Sequence, residues 1–315
     1  MNEFHQHKIS VIDPVNDALN RVKLLLFEPF ELKKWFVIGF CAWLANLGKG
    51  GGGGGSGGSG GGFGELKNTI INHLPVIIIV GTIIFLVILA IIVLMLWLSS
   101  RGKFMFLHCI AKNKAEVKVP WQKYSREGNS LFLFRFAAGV IVFIFIALLV
   151  GAIIFGVVLL QRSGGQTGLM GIAAIVISAL FLIPAVIVTI LFFKFTKDFV
   201  VPIMYVNGCT CVEAWGQFWD LLKLNKWNFT LYILFQILIS IVVSTILIAF
   251  VCITCCIAGC LMVIPYIGTV VLLPVLVFSR SYSVYYLAQY GRAYNIFMVF
   301  EEPQEEGSIR PELRQ

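Results

Sequence analysis

The chain contains unbroken apolar runs of more than 20 residues, and no other feature restricts its fold as strongly. A helix rises about 1.5 Å per residue, so roughly 20 apolar residues cross the ~30 Å of hydrocarbon in a bilayer. A barrel strand would need only about 10 residues of alternating polarity. The runs at 76–98, 136–160, 169–193 and 229–258 do not alternate, so their length predicts transmembrane helices. Two weaker segments, 35–47 and 261–278, bring the expected number of spans to about six. Hydrophobic residues make up 59% of the 315 and charged residues 13%, too little charge to cover a soluble domain of this size. The expected fold class is therefore all-α, a polytopic helical membrane protein.

Orientation follows from charge. Of 24 Lys and Arg residues, 21 fall in alternate segments, namely 1–34, 99–135, 194–228 and 279–315. Cytoplasmic segments carry the cation excess, so both termini are expected in the cytoplasm. The net charge of +8 would suggest nucleic acid in a soluble chain. Here the cations flank spans, where they set topology and attract anionic lipid, and no nucleic-acid partner is expected. The layout is a cytoplasmic N-terminus over 1–34, a membrane domain over 35–290 and a solvated, disordered tail over 291–315 that carries Glu301, Glu302, Glu305 and Glu306. No cleavable signal peptide or lipidation pattern is apparent. A Gly-rich outer loop occupies 48–64. It satisfies G-x-G-x-x-G trivially, but no strand precedes it and no Gly-Lys-Ser/Thr follows, so a nucleotide site is rejected.

The segments 76–160 and 170–254 have the same layout at an offset of 94 residues. Lys103 then corresponds to Lys197, Trp121 to Trp215 and Tyr124 to Phe218. This reads as a parallel repeat of two helix–cytoplasmic loop–helix units.

Two stretches on the cytoplasmic side are amphipathic. Asp13 is expected to cap a helix with Pro14 at its first position. Val15, Ala18, Leu19, Val22, Leu25 and Leu26 share one face of that helix, and Arg21 and Lys23 lie opposite. Such a helix is expected to lie in the membrane interface, with Lys33, Lys34 and Trp35 anchoring the turn into the bilayer. In the second stretch, Thr210 and Glu213 have capping-box spacing. Val212, Trp215, Phe218, Trp219 and Leu222 form an aromatic-rich stripe behind them, and Trp121 belongs to a thinner version in the first unit. Candidates for contact with lipid headgroups or a protein partner are thus Arg21, Lys23, Lys33, Lys34, Trp35, Trp121, Trp215 and Trp219.

The catalytic inventory is empty. No Asp or Glu falls inside an expected span, which argues against an ion-coupled pump. Gln236 is the costliest polar side chain expected inside the bundle. His5, His7, His73 and His108 form no ligand pattern, and no Gly-x-Ser-x-Gly elbow occurs. Cys252, Cys256 and Cys260 share a helix face, with Cys255 beside them, and one face of one helix cannot surround a tetrahedral metal. A disulfide on the outer side, with Cys41 as one partner, stays open, whereas Cys209 and Cys211 are expected to remain reduced. Pro265 and Pro274 are expected to bend the last span, and Arg280 to snorkel among Tyr282, Tyr285 and Tyr286. No catalytic residue, metal or cofactor is expected.

Three stretches carry a family resemblance. They are Phe199-Val-Val-Pro-Ile-Met-Tyr205, Glu213-Ala-Trp215 and Trp219-Asp-Leu-Leu-Lys-Leu-Asn-Lys-Trp-Asn-Phe229. This pattern resembles the multi-span membrane domain that precedes some glycerophosphodiester phosphodiesterases, and related uncharacterised bacterial inner-membrane proteins. The opening Phe27-Glu-Pro-Phe-Glu-Leu-Lys-Lys-Trp35 and the Gly-rich first loop are similar to such proteins too. The resemblance implies a bacterial inner membrane. Only about 25 residues follow the expected membrane domain, so the phosphodiesterase activity does not carry over. The expected function is non-enzymatic, organising lipids or protein partners at the cytoplasmic leaflet. An uncoupled transporter or lipid-translocating protein, and an accessory subunit of an envelope complex, stand as alternatives.

Overall fold

A computed structural model describes residues 9–47, 74–162, 166–254 and 264–297. The Gly-rich loop, most of the tail, the first three expected histidines and Cys255, Cys256 and Cys260 lie outside the described residues. The helices run in the order α1 (Asp13–Leu26), α2 (Leu32–Asn46), α3 (Leu74–Lys112), α4 (Lys118–Lys123), α5 (Ser125–Arg162) and α6 (Gln166–Phe195). A π-helical turn (Thr196–Val200) joins α6 to α7 (Val201–Asn207), and α8 (Cys211–Leu224), α9 (Lys226–Ile253), α10 (Pro265–Val271) and α11 (Leu273–Ala288) follow. There is no strand among the described residues.

Four helical stretches are long and apolar enough to cross a membrane: Ile79–Lys112, Ser125–Gln161, Gly168–Asn207 and Lys226–Ile253. Their most apolar windows are only 0–6% buried inside the protein. The ends of these helices that carry the cations, here the basal ends, are where the chain packs. One buried cluster gathers Phe104, Phe199, Phe218, Phe229, Tyr232 and Tyr286. A second gathers Leu25, Ile38, Cys41, Met105, Ile110 and Val277.

The two weaker segments behave differently from the four runs. With 15 residues, α2 is about 22 Å long, short of the hydrocarbon thickness. It lies along the basal part of α3, beyond the run 76–98. Ser99 Oγ donates to the Ala45 carbonyl at 3.1 Å, and Lys34 Nζ donates to Asn113 Oδ1 at 3.0 Å. The backbones meet at Gly102, where an added Cβ would stand 2.6 Å from the backbone of Leu44 and Ala45. The last segment is broken at Leu272 into α10 and α11. Pro274 opens α11 without an amide hydrogen to continue the ladder, which accounts for the break. Tyr266 of α10 donates to the Phe36 carbonyl at 2.9 Å, tying this segment to α2.

The amphipathic helix α1 also departs from expectation. Its apolar face, with Ala18, Val22, Leu25 and Leu26, is buried against protein rather than left for lipid. It runs antiparallel to α11. Tyr282 donates to the Val11 carbonyl at 3.1 Å, and Gln289 exchanges two hydrogen bonds with the Ser10 backbone. Ser10 rather than Asp13 caps the helix start, its Oγ accepting from the amides of Ile12 and Asp13 at 3.2 Å each. At α8 the expected capping box is present. Thr210 accepts from the Glu213 amide, and Glu213 accepts from the Thr210 amide at 3.1 Å.

Candidate functional site

The basal face has a cleft at the point where the chain passes from polar to apolar. Leu224 ends α8, and α9 begins two residues later at Lys226. The tight turn at Asn225 therefore brings Lys223 and Lys226 to one opening, beside Trp219. Phe195, Leu222, Phe229 and Ile233 form the apolar lining of the same cleft, whose volume is about 600 Å³. Trp219 is 50% exposed, and the Lys223 ammonium lies 5.9 Å from its ring centroid. Lys223 also pairs with Asp220 at 3.6 Å in a solvent-exposed contact, a weak tether. Cations at the mouth, an indole at the rim and an apolar floor suit a ligand with an anionic head and a hydrocarbon body.

On the other side of α9 a wholly apolar groove of about 430 Å³ runs between it, α1 and α11. Leu19, Val22, Phe235, Val242, Pro274 and Phe278 are among its lining residues. Gln236 faces neither groove along α9. It is half-buried, and its Oε1 has no partner.

Behind the cleft lies a buried polar group in the π-turn. Pro202 has no amide hydrogen for the Asp198 carbonyl, and the ladder widens there into i→i+5 bonding. This turn directs Asp198 inward, where it is 5% exposed. Lys194 Nζ lies 3.4 Å from Asp198 Oδ2, and the Tyr232 hydroxyl donates to the same oxygen at 3.4 Å. Arg280 is 4% exposed, and its guanidinium donates to the Lys197 carbonyl. It therefore does not snorkel outward. Burial lowers its pKa to about 10 while Asp198 pulls the other way, so it stays charged at neutral pH.

The candidate contact residues from the sequence divide into exposed and committed ones. Lys33 and Trp219 are exposed, and Lys23 pairs with Glu28 at 3.1 Å on the surface. Arg21 is committed to the fold: its guanidinium donates to the last carbonyls of α3, to Ala111 at 2.7 Å and to Ile110. Those carbonyls have no intrahelical partner, so the arginine serves as a C-terminal cap. Lys34 reaches Asn113, and the Trp35 indole donates to the Leu26 carbonyl at 2.7 Å. Trp121 meets Trp97 edge-on at 5.9 Å, with the Arg101 guanidinium over both rings. Trp215 stacks on Phe192 at 4.7 Å with its N–H buried and unpaired. The aromatic stripe of α8 is accordingly split, Phe218 inward and Trp219 outward.

The remaining candidate groups lie in the core. His108 is buried against the Tyr205 hydroxyl at 2.9 Å. Cys41 lies beside Cys109, with the sulfurs 3.8 Å apart, and not towards Cys252. Burial pushes the Cys211 thiol up to about 12, which keeps it protonated. Among the described residues no group of three or more His, Cys, Asp or Glu could hold a metal.

Sequence segmentation missed Lys226 as a site residue and Asp198 as a buried carboxylate. The visible signal for Asp198 was Lys194 four residues earlier, one helical turn away in an otherwise apolar stretch.

Comparison with known families matches residues 9–296 to a family of unknown function, DUF7544. The chain belongs to that family. No curated protein and no solved structure matches it.

Proposed function

We propose that the chain is a non-enzymatic integral membrane protein that binds anionic phospholipid from the cytoplasmic leaflet. The observation that carries this reading is the cleft at Trp219, Lys223 and Lys226, which joins two cations to an apolar lining where a polar helix gives way to an apolar one. The phosphate sits between the two ammonium groups and an acyl chain follows Phe195, Phe229 and Ile233. Each lysine near an anionic surface contributes on the order of 1 kcal/mol, so the double variant Lys223→Ala/Lys226→Ala loses about tenfold or more in affinity. Binding to nanodiscs containing phosphatidylglycerol, against phosphatidylcholine alone, tests it. Equal retention of both lipids by the unaltered protein would sink the reading.

In this reading the four long helices cross the membrane, while α2 and the α10–α11 pair enter it only part-way from the basal side. Four full spans keep the even count, so both termini stay cytoplasmic in a bacterial inner membrane. Cys252 is exposed at the far end of α9 and Cys209 lies at the basal end. An impermeant maleimide applied from outside intact cells should therefore label Cys252 and spare Cys209. Reversed labelling overturns the orientation.

A parallel repeat supports a second reading, movement of lipid between leaflets. Left-handed residues end the first long helix of each unit, Asn113 at φ 54° and Gly208 at φ 60°. The aromatic pairs recur as well: Phe104 stacks on Tyr124, and Phe199 stacks on Phe218. Gln236 lines no groove along α9, which ranks this reading second. Faster exchange of labelled lipid in vesicles carrying the protein would bring it to first place. The resemblance to membrane domains preceding phosphodiesterases fits either reading, since both concern phospholipid.

A further inference from the structure

Cys41 of α2 and Cys109 of α3 are 68 positions apart in the chain, yet their sulfurs lie 3.8 Å from each other. Both are free thiols, and both are fully buried. The pair sits part-way along the seam that two hydrogen bonds fasten, Ser99 to Ala45 at one end and Lys34 to Asn113 at the other. It shares a buried apolar cluster with Ile38, Ala42, Met105 and Ile110. Small cysteines can serve close packing alone. Here the backbones meet at Gly102, about two helical turns from Cys109, so the approach of the two helices depends on neither thiol.

A disulfide holds its sulfurs about 2.0 Å apart, so this pair must approach by roughly 1.8 Å, which rotation of the two side chains can supply. We propose that Cys41 and Cys109 form an oxidisable pair, a modification site at which hydrogen peroxide closes a disulfide that locks α2 onto α3. Peroxide is small and uncharged, so it can reach thiols that burial hides from charged glutathione disulfide. One sulfur attacks a peroxide oxygen, the O–O bond breaks, and the thiol proton leaves with the departing oxygen as water. The second thiol then attacks the sulfur of the sulfenic acid, the S–O bond breaks, and a second water departs. In sum each sulfur loses one electron, the peroxide gains two, and two water molecules form. The new bond closes a loop across 68 positions, which restricts the unfolded chain and so favours the folded one. The orientation proposed above puts the pair on the cytoplasmic side, where thiols are kept reduced, so the disulfide belongs to oxidative challenge and not to the resting state.

The test uses the unaltered full chain in nanodiscs, reduced, freed of reductant and treated with hydrogen peroxide. The protein is then denatured, alkylated and digested for peptide mass spectrometry. Peptides bearing Cys41 and Cys109 should be recovered joined to each other, with neither sulfur alkylated. Thermal unfolding of the same oxidised sample should show Tm raised by about 5–10 °C. Cys41→Ala and Cys109→Ala should each lose both the link and the gain in Tm. Full alkylation of both thiols after peroxide overturns the proposal and leaves the pair as packing alone. Oxidation of one sulfur to sulfinic acid without a link overturns it as well. A link that leaves Tm unchanged overturns the lock, and a gain in Tm that survives in both variants assigns the effect to other cysteines. The first readout needs no substitution, so a variant that fails to fold does not blunt the test. Lys223→Ala/Lys226→Ala should form the same link, so the lipid cleft and the cysteine pair can fail separately.

Discussion

Phe218, at the basal end, is fully buried among Phe195, Phe199, Trp215 and Phe229, whereas Phe143, half-way along α5, is 73% exposed. The same kind of side chain does two different jobs in one molecule. At the basal end, apolar groups leave water by packing on each other, and buried polar groups such as Asp198 and Tyr232 pair within the chain, as in a soluble core. Along the apolar halves the hydrocarbon of the membrane can provide that environment, so tight packing is not required. Contact in the apolar part is closest between α5 and α6. There Gly156 and Gly171 bring the backbones so near that a Cβ on Gly156 would stand 2.8 Å from the Gly171 carbonyl. Small residues of this kind allow helices to approach in lipid, where no hydrophobic force drives them together. The comparison places the specificity of the fold at one end of the molecule.

Substitutions can break that comparison. The largest loss is expected for Gly102→Leu, which pushes α2 off α3, because the obstacle is backbone rather than a flexible side chain. About 3 kcal/mol or more should be lost, read as thermal unfolding in detergent. An unchanged Tm would mean that α2 is not fixed there. Asp198→Ala comes next, removing the carboxylate that pairs with Lys194 and leaving the buried Tyr232 hydroxyl without its acceptor. About 3 kcal/mol is expected, and Asp198→Asn should cost less because it retains an acceptor for Tyr232.

Gly156→Leu probes the other half of the comparison. The α5–α6 pair should separate at a cost of about 1–2 kcal/mol while the basal core persists. A loss equal to that of Gly102→Leu would refute the division into a packed end and a lipid-facing end. Thr210→Ala removes the capping hydroxyl of α8 and should cost about 1 kcal/mol, visible as faster amide exchange over Cys211–Glu213. The smallest effect is expected at Leu180, 70% exposed on α6, where Leu180→Ala should stay within about 0.5 kcal/mol. A larger loss would show that another helix, or a second copy of the chain, covers that face.

Much of this was legible from local patterns. The runs at 76–98, 136–160 and 169–193 each lie within a long helix, and the run from 229 is helical as far as Ile253, because run length and polarity are properties of the segment alone. The capping box at Thr210 was readable for the same reason. The segment 35–47 was harder. Its apolar character suits a short span and a core helix equally well, and burial of Ile38 and Cys41 against Met105 and Ile110 depends on residues far along the chain. For α1, the apolar face was visible but its partner was not, since the periodicity of Ala18, Val22 and Leu25 does not distinguish α11 from lipid.

The candidate site follows the same rule. Trp219 was apparent as part of an amphipathic stripe, but Phe218 and Trp219 differ in fate because only one faces Phe199 and Phe229. Arg280 read as an interfacial cation because nothing nearby in the sequence could hold it. One nitrogen of its guanidinium donates to the carbonyl of Lys197, 83 positions earlier. The sequence by itself determined the helical class, the four long apolar stretches and the end of each that carries charge, since these follow from composition summed over a window. Only the tertiary structure decided which cations stay in solvent and which are drawn into the core. A charge can be buried only where distant segments bring its partners together, and no local pattern records that meeting.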